Sequence, residues 1–286
     1  MSPCQQRGVA LITVLLIMAL ALLLTASLLR SHRLTLQGGA QHIHQVQLRQ
    51  WALAAEGWAV QQLPIAEPKA MQNVNLAQDW ALRPLALTLP DVELRLDIED
   101  LAGRFNLTPL FASGKADEIV QARWARLLER LDLAAIDLAP LRGTEVRDPS
   151  QLRLLPGVDG ASLRRLEPWV VLLPGDAGLN VNTTSALLLS TLEGMSDSDA
   201  QSLIERRPAE GYPDAGSFAL VSGLRGRGIS AHGLGVSSRW FRVSIEVAAG
   251  RSRLRLVSDL EIDPKTLRPR VVQRRFLAPT QGESSS

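Results

Sequence analysis

The chain has 286 residues, of which 46% are hydrophobic and 21% are charged, and its formal net charge is +2. This apolar content can fill a core, and the length allows an anchor plus one or two domains. The small net charge favours neither nucleic acid nor an acidic surface as a partner. Cys4 is the sole cysteine, which excludes an internal disulfide and a cysteine metal cluster.

The first long element is an apolar stretch. Residues 9–29 contain no charge, proline or glycine. As a helix rising about 1.5 Å per residue they extend roughly 31 Å, enough to cross a hydrocarbon core. Arg30, His32 and Arg33 follow directly, where a Sec signal peptide would carry small residues for cleavage. We therefore predict a membrane-spanning helix. Because Arg7 and the terminal amine balance Arg30 and Arg33, the charge rule leaves its orientation open.

The helical pattern continues beyond the membrane segment until Pro64 ends it. Paired glycines, Gly38 and Gly39, are expected to weaken the helix because together they cost about 2 kcal/mol relative to alanines. Three tryptophans on apolar helix faces are predicted to lie in a core: Trp51, Trp58 and Trp124.

A short polar leader precedes the apolar stretch and ends in Gln6-Arg7-Gly8, followed by Val9-Ala10-Leu11-Ile12-Thr13. This arrangement resembles a prepilin leader. The resemblance implies cleavage after Gly8 by prepilin peptidase, with Val9 as the new, N-methylated terminus. Most pilins carry a glutamate at the fifth mature residue, where a neighbour's terminal amine compensates a carboxylate that is costly in the membrane. Thr13 occupies that position here. In lacking this glutamate, the chain resembles the K class of type II secretion minor pseudopilins. The lack suits a subunit that has no neighbouring subunit above it.

Two later stretches, residues 92–98 and 241–247, alternate apolar and polar residues, as half-buried strands do. After a turn at 249–251, residues 254–262 form a second run, and residues 271–277 are a further candidate strand. Antiparallel hairpins with one solvated face give this alternation, and the N-terminal helix would cover the dry face.

Residues 104–235 have a different character. An apolar face predicts a helix over 115–133, and shorter helices are predicted over 162–166 and 197–207, the last with Ser196 or Asp197 as N-cap. Leu155-Pro156-Gly157-Val158 returns as Leu192-Glu193-Gly194-Met195, a degenerate repeat.

The predicted fold is α+β: a long N-terminal transmembrane helix packed on a small antiparallel sheet, pilin-like, with a large all-helical inserted domain. The predicted division is a leader (1–8), the transmembrane half of the helix (9–29), the periplasmic half with the first part of the α/β domain (30–103), the helical insertion (104–235), the remaining strands (236–277) and a disordered tail (278–286). This layout, with segments 101–107 and 179–183, is similar to K-class pseudopilins over nearly the whole chain.

The repeated turns also resemble helix-hairpin-helix DNA-binding modules, which hold phosphate with N–H groups at a helix start. Asp197 and Asp199 would repel phosphate at the second turn, and Arg164 and Arg165 would help only the first. A membrane-anchored DNA-binding protein of a competence system is therefore the alternative function.

No other pattern favours catalysis. His42 and His44 point to different faces of the predicted helix, and the sequence has no Gly-x-Ser-x-Gly nucleophile elbow. We expect no enzyme, no metal site and no cofactor. Acidic loops leave calcium as an alternative, without EF-hand spacing to support it.

The resemblance implies a minor pseudopilin that forms, with the I and J classes, the tip of the periplasmic pseudopilus, initiates its assembly and promotes export of folded proteins across the outer membrane. Implied partners are prepilin peptidase, the inner membrane and secreted substrate proteins, without nucleic acid. The implied location is the inner membrane, crossed once, with the C-terminal domain in the periplasm.

Overall fold

A computed structural model describes residues 3–63, 68–82, 85–113, 117–221, 228–250 and 252–277. The predicted tail, 278–286, lies outside these ranges. Within the N-terminal helix, the side chains of residues 3–12, 33–38, 40 and 41 are also outside the description.

The first helix in the described ranges is much the longest. The helices are α1 Pro3–Gln62, α2 Pro68–Gln72, α3 Asp79–Leu82, α4 Thr108–Phe111, α5 Glu118–Arg130, α6 Gly160–Leu166, α7 Ala186–Leu189, α8 Asp197–Glu205 and α9 Ala215–Ala219. The predicted long helix is confirmed as α1, which spans 60 residues and continues across Gly38 and Gly39. It ends at Gln62, because the residue before a proline is disfavoured in helical conformation.

The strands follow in chain order. They are β1 Leu85–Leu89, β2 Val92–Asp100, β3 Phe105–Asn106, β4 Val170–Val171, β5 Leu179–Asn180, β6 Leu234–Gly235, β7 Trp240–Ala249, β8 Ser252–Ile262 and β9 Pro269–Leu277. All four predicted strands are confirmed, and each end is either unchanged or one or two residues longer than predicted. Strand β1 was not predicted, because its residues Leu-Ala-Leu-Thr-Leu do not alternate with charged side chains.

One five-stranded sheet, in the order β1-β2-β7-β8-β9, forms the centre of the fold, and each neighbouring pair is antiparallel. Asp100 at the end of β2 pairs with Phe241 near the start of β7. The chain therefore leaves the sheet after Asp100 and, after the intervening residues, returns to it in β7, the strand next to β2.

Helix α1 packs on one face of this sheet through a stripe of small and apolar residues. Leu48, Ala52, Ala55 and Ala59 are buried with the inward side chains of β2, β7 and β8. The alanines allow the helix backbone to approach the sheet closely, and burying Leu48 alone contributes about 1.5–3 kcal/mol. This is the predicted pilin-like packing of helix on sheet.

The region between β2 and β7 has its own core, built around Phe105, Trp124, Leu127, Leu152 and Leu166. It is mainly helical, and it differs from the all-helical expectation in two short parallel pairs, β3 with β4 and β5 with β6. Pairs of two residues are too short to leave a periodic signal in the sequence.

Two details of the sequence analysis need correction. Helix α5 is shorter than residues 115–133 because the Asp117 side chain caps its start and Asp132, with φ of 49°, lies beyond its end. Trp124 is buried as predicted, but Trp58 is only half-buried and Trp51 is 40% exposed, so Trp51 is not a core residue.

Candidate functional site: the N-terminal helix and its junctions

Residues 13–32 of α1, whose side chains the structure describes, have no other part of the chain packed against them. Residues Thr13–His32 are long and apolar enough to span a membrane, with a mean hydropathy of 2.2 and none of the segment buried. Leu22, Leu23 and Leu28 are each about 70% exposed. A contiguous apolar surface of this kind marks a membrane or protein interface.

The predicted processing residues lie in this helix. Gly8 and Val9 are helical, but the side chain of Val9 lies outside the description, and Thr13 is exposed at the start of the apolar segment. Cleavage at Gly8, methylation at Val9 and the role of Thr13 stay predictions.

The one carboxylate in α1 is Glu56, and it is buried, 5% exposed, against the sheet. The Arg274 guanidinium on β9 donates to both of its oxygens, from Nε at 2.8 Å and from the NH2 group at 2.6 Å. Ser258 on β8 donates a third hydrogen bond at 2.5 Å. Burial alone would raise the pKa of Glu56, but these hydrogen bonds and the arginine charge hold it below its ordinary value.

A second contact joins the same two elements. The Arg49 guanidinium lies over the Phe276 ring of β9, 5.2 Å from its centroid. Strand β9 is an edge strand with mostly exposed side chains, so it has little core of its own. The two contacts fasten it to α1 at points two helical turns apart.

A buried polar network lies where the helical insertion meets the sheet. Asp100 is fully buried and accepts hydrogen bonds from Asn180 Nδ2 at 2.8 Å, Thr183 Oγ1 at 2.6 Å and the Ala102 N–H at 2.9 Å. Burial raises the pKa of Asp100, although these hydrogen bonds oppose the shift. Segments 101–107 and 179–183, which carried part of the family resemblance, therefore meet around one carboxylate.

The two repeated turns are structurally equivalent. Gly157 and Gly194 both have positive φ, 81° and 66°, which favours glycine at each turn. Asp159 caps α6 by accepting from the Ser162 N–H, and Ser196 forms a capping box with Asp199 at the start of α8. Side-chain oxygens thus occupy N–H groups that a phosphate would need, and a carboxylate lies at each helix start, so nothing here supports the DNA-binding alternative.

An ion pair also joins the second turn to helix α5. Arg123 on α5 is 4% exposed and donates to both carboxylate oxygens of Glu193 at 3.1 Å. Its remaining N–H groups donate to the backbone carbonyls of Ser230 and His232. The charges of this turn hold the insertion together.

Metal ligands do not converge in the part of the chain that the structure describes, where no three histidine, cysteine, aspartate or glutamate side chains form a candidate cluster. His42 and His44 are exposed on α1. The expectation of no bound metal, with calcium as the alternative, stays a prediction.

Comparison with known proteins identifies the family. The sequence profile of type II secretion system protein K matches residues 179–237. The type II secretion system protein K of Pseudomonas aeruginosa is 31% identical over 90% of this chain and 89% of its own length. This chain belongs to the type II secretion system protein K family. The protein K of Klebsiella pneumoniae is 29% identical over 95% of this chain and 97% of its own length.

The fold agrees with that membership. The crystal structure of the GspK-GspI-GspJ complex from the type 2 secretion system of enterotoxigenic Escherichia coli contains a chain that superposes with a TM-score of 0.70. The match covers 85% of this chain and all of that one, at 22% identity. As a protein K, the chain is a minor pseudopilin of type II secretion, as the leader and helix predicted.

Protein K membership was predictable from sequence, but several residues of this site were not. Glu56 resembles any polar residue of an amphipathic helix, and Arg274 is one of several arginines in a strand with no clear alternation. Their separation of 218 residues gives no local signal. One signal was available in the sequence. Glu56 is the one charged residue in the helical stretch 50–62, which indicates a carboxylate that is buried and paired.

Proposed function

We propose that this minor pseudopilin is anchored in the inner membrane by α1, with the remainder of the chain in the periplasm, and that it forms the pseudopilus tip. The observation that carries the proposal is α1 itself. Residues 13–32 are exposed and apolar, and residues 48–59 pack on the sheet, so a single helix would join the membrane to the folded domain.

The proposal includes processing by prepilin peptidase after Gly8, with methylation of Val9. Its support is the polar leader ahead of an apolar helix. Mass spectrometry of the protein purified from membranes should give a mature terminus at Val9 carrying one methyl group. Gly8→Ala should leave the precursor uncleaved and abolish secretion. Any other mature terminus contradicts the leader assignment.

Tip placement rests on Thr13. In the apolar environment of the membrane, a carboxylate is kept only where a partner compensates it. Thr13 offers no carboxylate to the terminal amine of a subunit above, so further addition at this position lacks the usual ion pair. The helical insertion would also cover the top of the subunit and could contact secreted substrates.

The proposed partners are minor pseudopilins of the I and J classes, supported by the likeness in fold to a chain crystallised with GspI and GspJ. Full-length protein expressed together with the I-class and J-class pseudopilins of the same secretion system should co-purify with both from detergent-solubilised membranes. Purification without either one contradicts the tip assignment and leaves the anchor untouched.

The proposed role is structural, without a catalytic step, a cofactor or nucleic acid. Capping carboxylates at the repeated turns support the exclusion of nucleic acid, since they would repel phosphate. A low-salt gel shift with the purified protein should detect no binding of duplex DNA.

A further inference from the structure

The face of the central sheet that α1 leaves free carries a groove. Its volume is about 800 Å³, and it runs over the outward side chains of β2, β7, β8 and β9. One wall belongs to the helical insertion, where Arg164 of α6 and the following Glu167 and Pro168 line the space. The groove therefore lies between the sheet and the insertion, on the side of the sheet away from α1.

One row of side chains crosses this groove from strand to strand. In the register of the sheet, Asp97 on β2 lies beside Ser244 on β7. Ser244 lies beside Val257 on β8, and Val257 lies beside Arg275 on β9. We call these four residues the open row. A carboxylate and a guanidinium stand at its two ends, roughly 14 Å apart for strands about 4.8 Å from each other, and the residues between them are uncharged.

The two end charges of the open row are poorly compensated. Asp97 has no hydrogen-bond or ion-pair partner among the residues that the structure describes, and partial burial and the charge of Glu99 raise its pKa. The Arg275 guanidinium reaches the carboxylates of Asp259 and Asp148 only at 3.5 and 3.8 Å. Its buried Nε has no hydrogen-bond partner in the described part of the chain. Polar groups left in this state are rare in folded proteins and concentrate at functional sites.

The adjacent row on the same face is paired internally. Glu99 accepts two hydrogen bonds from Arg104, at 2.5 and 2.6 Å, and Asp259 accepts two from Arg242, at 2.6 and 2.9 Å. Such two-pronged pairs are the strong form of the interaction between arginine and a carboxylate. The ends of the open row cannot pair in this way, because two strands separate them and the sheet holds them apart.

We propose that the open row binds an extended segment of a partner protein, which places a basic side chain over Asp97 and a carboxylate over Arg275, four residues apart. In an extended chain each residue advances about 3.3 Å and successive side chains point to opposite sides. Residues i and i+4 therefore lie on one side, about 13 Å apart, which matches the length of the row. The uncharged residues between them pass over Ser244 and Val257.

Other classes of ligand fit the open row less well. A polyanion such as nucleic acid would meet the carboxylates of Asp97 and Glu99, which repel phosphate. A zwitterionic lipid headgroup carries its two charges on neighbouring groups and cannot span the row. The inference goes beyond the proposed function, because it assigns a second surface, away from α1, and does not depend on the place of the subunit in a pseudopilus.

Peptides of defined charge spacing test the row. Four synthetic peptides of serine, threonine and glycine each contain one lysine and one glutamate, separated by two, three, four or five positions. Binding of the full chain, solubilised in detergent, to each immobilised peptide is measured by biolayer interferometry. We expect the four-position peptide to bind about fivefold or more tightly than the others. Separations of three and five put the charges on opposite sides, and a separation of two spans only about 7 Å. Equal binding at all separations, or no binding at four, would overturn the inference.

A change of specificity at Asp97 is the second test. Asp97→Lys should weaken binding of the four-position peptide about fivefold or more and should create binding of a peptide with glutamate at both positions. Glu93→Lys makes the same change of charge on the same strand, at an exposed position outside the groove, and should keep both affinities within about twofold. If Glu93→Lys acts as Asp97→Lys does, net charge explains the effect and the inference fails. A dimer of the full chain that Asp97→Lys dissolves, without peptide binding, would make a second copy the occupant and also overturn it.

A double-mutant cycle tests the other end of the row. Arg275→Gln alone, and replacement of the peptide glutamate by glutamine alone, should each weaken binding about fivefold, and both together should weaken it no further. Arg270→Gln, on the same strand with a side chain 74% exposed, is the matched control and should leave binding within about twofold. Because Arg275 also contacts Asp259 and Asp148, the melting temperature of each variant is measured alongside. A folded Arg275→Gln protein that binds as wild-type does contradicts the inference, and if that variant does not fold, the result at Asp97 decides.

Discussion

Glu56 of the N-terminal helix and Arg274 of the last strand form a two-pronged ion pair, with the shorter N–O distance at 2.6 Å, across 218 residues of sequence. The glutamate is buried, the arginine is 42% exposed, and Ser258 supplies a further donor. The pair fixes the position of an otherwise exposed edge strand on the long N-terminal helix. It also uses the only carboxylate that α1 has, which leaves the helix basic towards its surroundings.

Arg274→Ala should destabilise the protein by leaving the Glu56 carboxylate buried with Ser258 as its remaining side-chain donor. We expect the free energy of unfolding to fall by about 2–3 kcal/mol, less than for a fully buried pair because Arg274 is partly exposed. Urea denaturation of the detergent-solubilised protein measures it. Arg270→Ala, on the same strand with a side chain 74% exposed, is the matched control and should cost less than about 1 kcal/mol. Equal losses would contradict the assignment.

The same pair makes stability depend on pH. Because the pKa of Glu56 is lowered in the folded protein, its contribution is present above the pKa of the unfolded chain and is lost as pH falls through the folded pKa. The unfolded value is about 4.3. The stability difference between wild-type and Glu56→Gln should therefore be full at pH 7 and shrink progressively below about pH 4. A difference that stays constant down to pH 3 would show that the pair is not ionised as described.

Asp100→Asn keeps the size of the side chain but should still be destabilising. All three neighbours donate to Asp100, so the amide NH2 group of an asparagine would face a donor in either orientation. We expect a loss of about 1–3 kcal/mol in the free energy of unfolding. Asp97→Asn is the control on the same strand. Burial and the neighbouring Glu99 raise the pKa of Asp97, so removing its charge should change stability by less than about 0.5 kcal/mol.

Three glycines give a graded series for thermal denaturation. Gly211 has a φ of 74°, and a Cβ atom there would lie 2.5 Å from Asn182 Nδ2, so Gly211→Ala combines backbone strain with a clash. Gly157 has a φ of 81° but open space around it, so Gly157→Ala should cost only the strain, about 1 kcal/mol. Gly57 is helical and open, and Gly57→Ala should stabilise by about 0.5–1 kcal/mol. Any other order of melting temperatures would contradict the described packing.

Sequence reasoning was most successful where a signal is local and periodic. The long helix, four of the five strands of the central sheet and the capped start of α8 at Ser196 follow from spacing and from residue chemistry over a few turns. It failed at β1, where the alternation is absent, and at Trp51, where an apolar residue on a helix was taken to face the core. Hydrophobicity along a helix shows that a stripe exists but not which neighbour covers it.

The sequence by itself determined the long apolar helix, the α+β class and the family, because each depends on composition or spacing within a short stretch of chain. Only the tertiary structure decided that Glu56 belongs to Arg274, that Asp100 gathers donors from residues 180 and 183, and that Asp97 and Arg275 end one row across the free face of the sheet. These features depend on which distant segments the fold brings within hydrogen-bond distance, and on which face of the sheet it leaves open. No local pattern contains that information, since the chain must first close on itself for such pairs to meet.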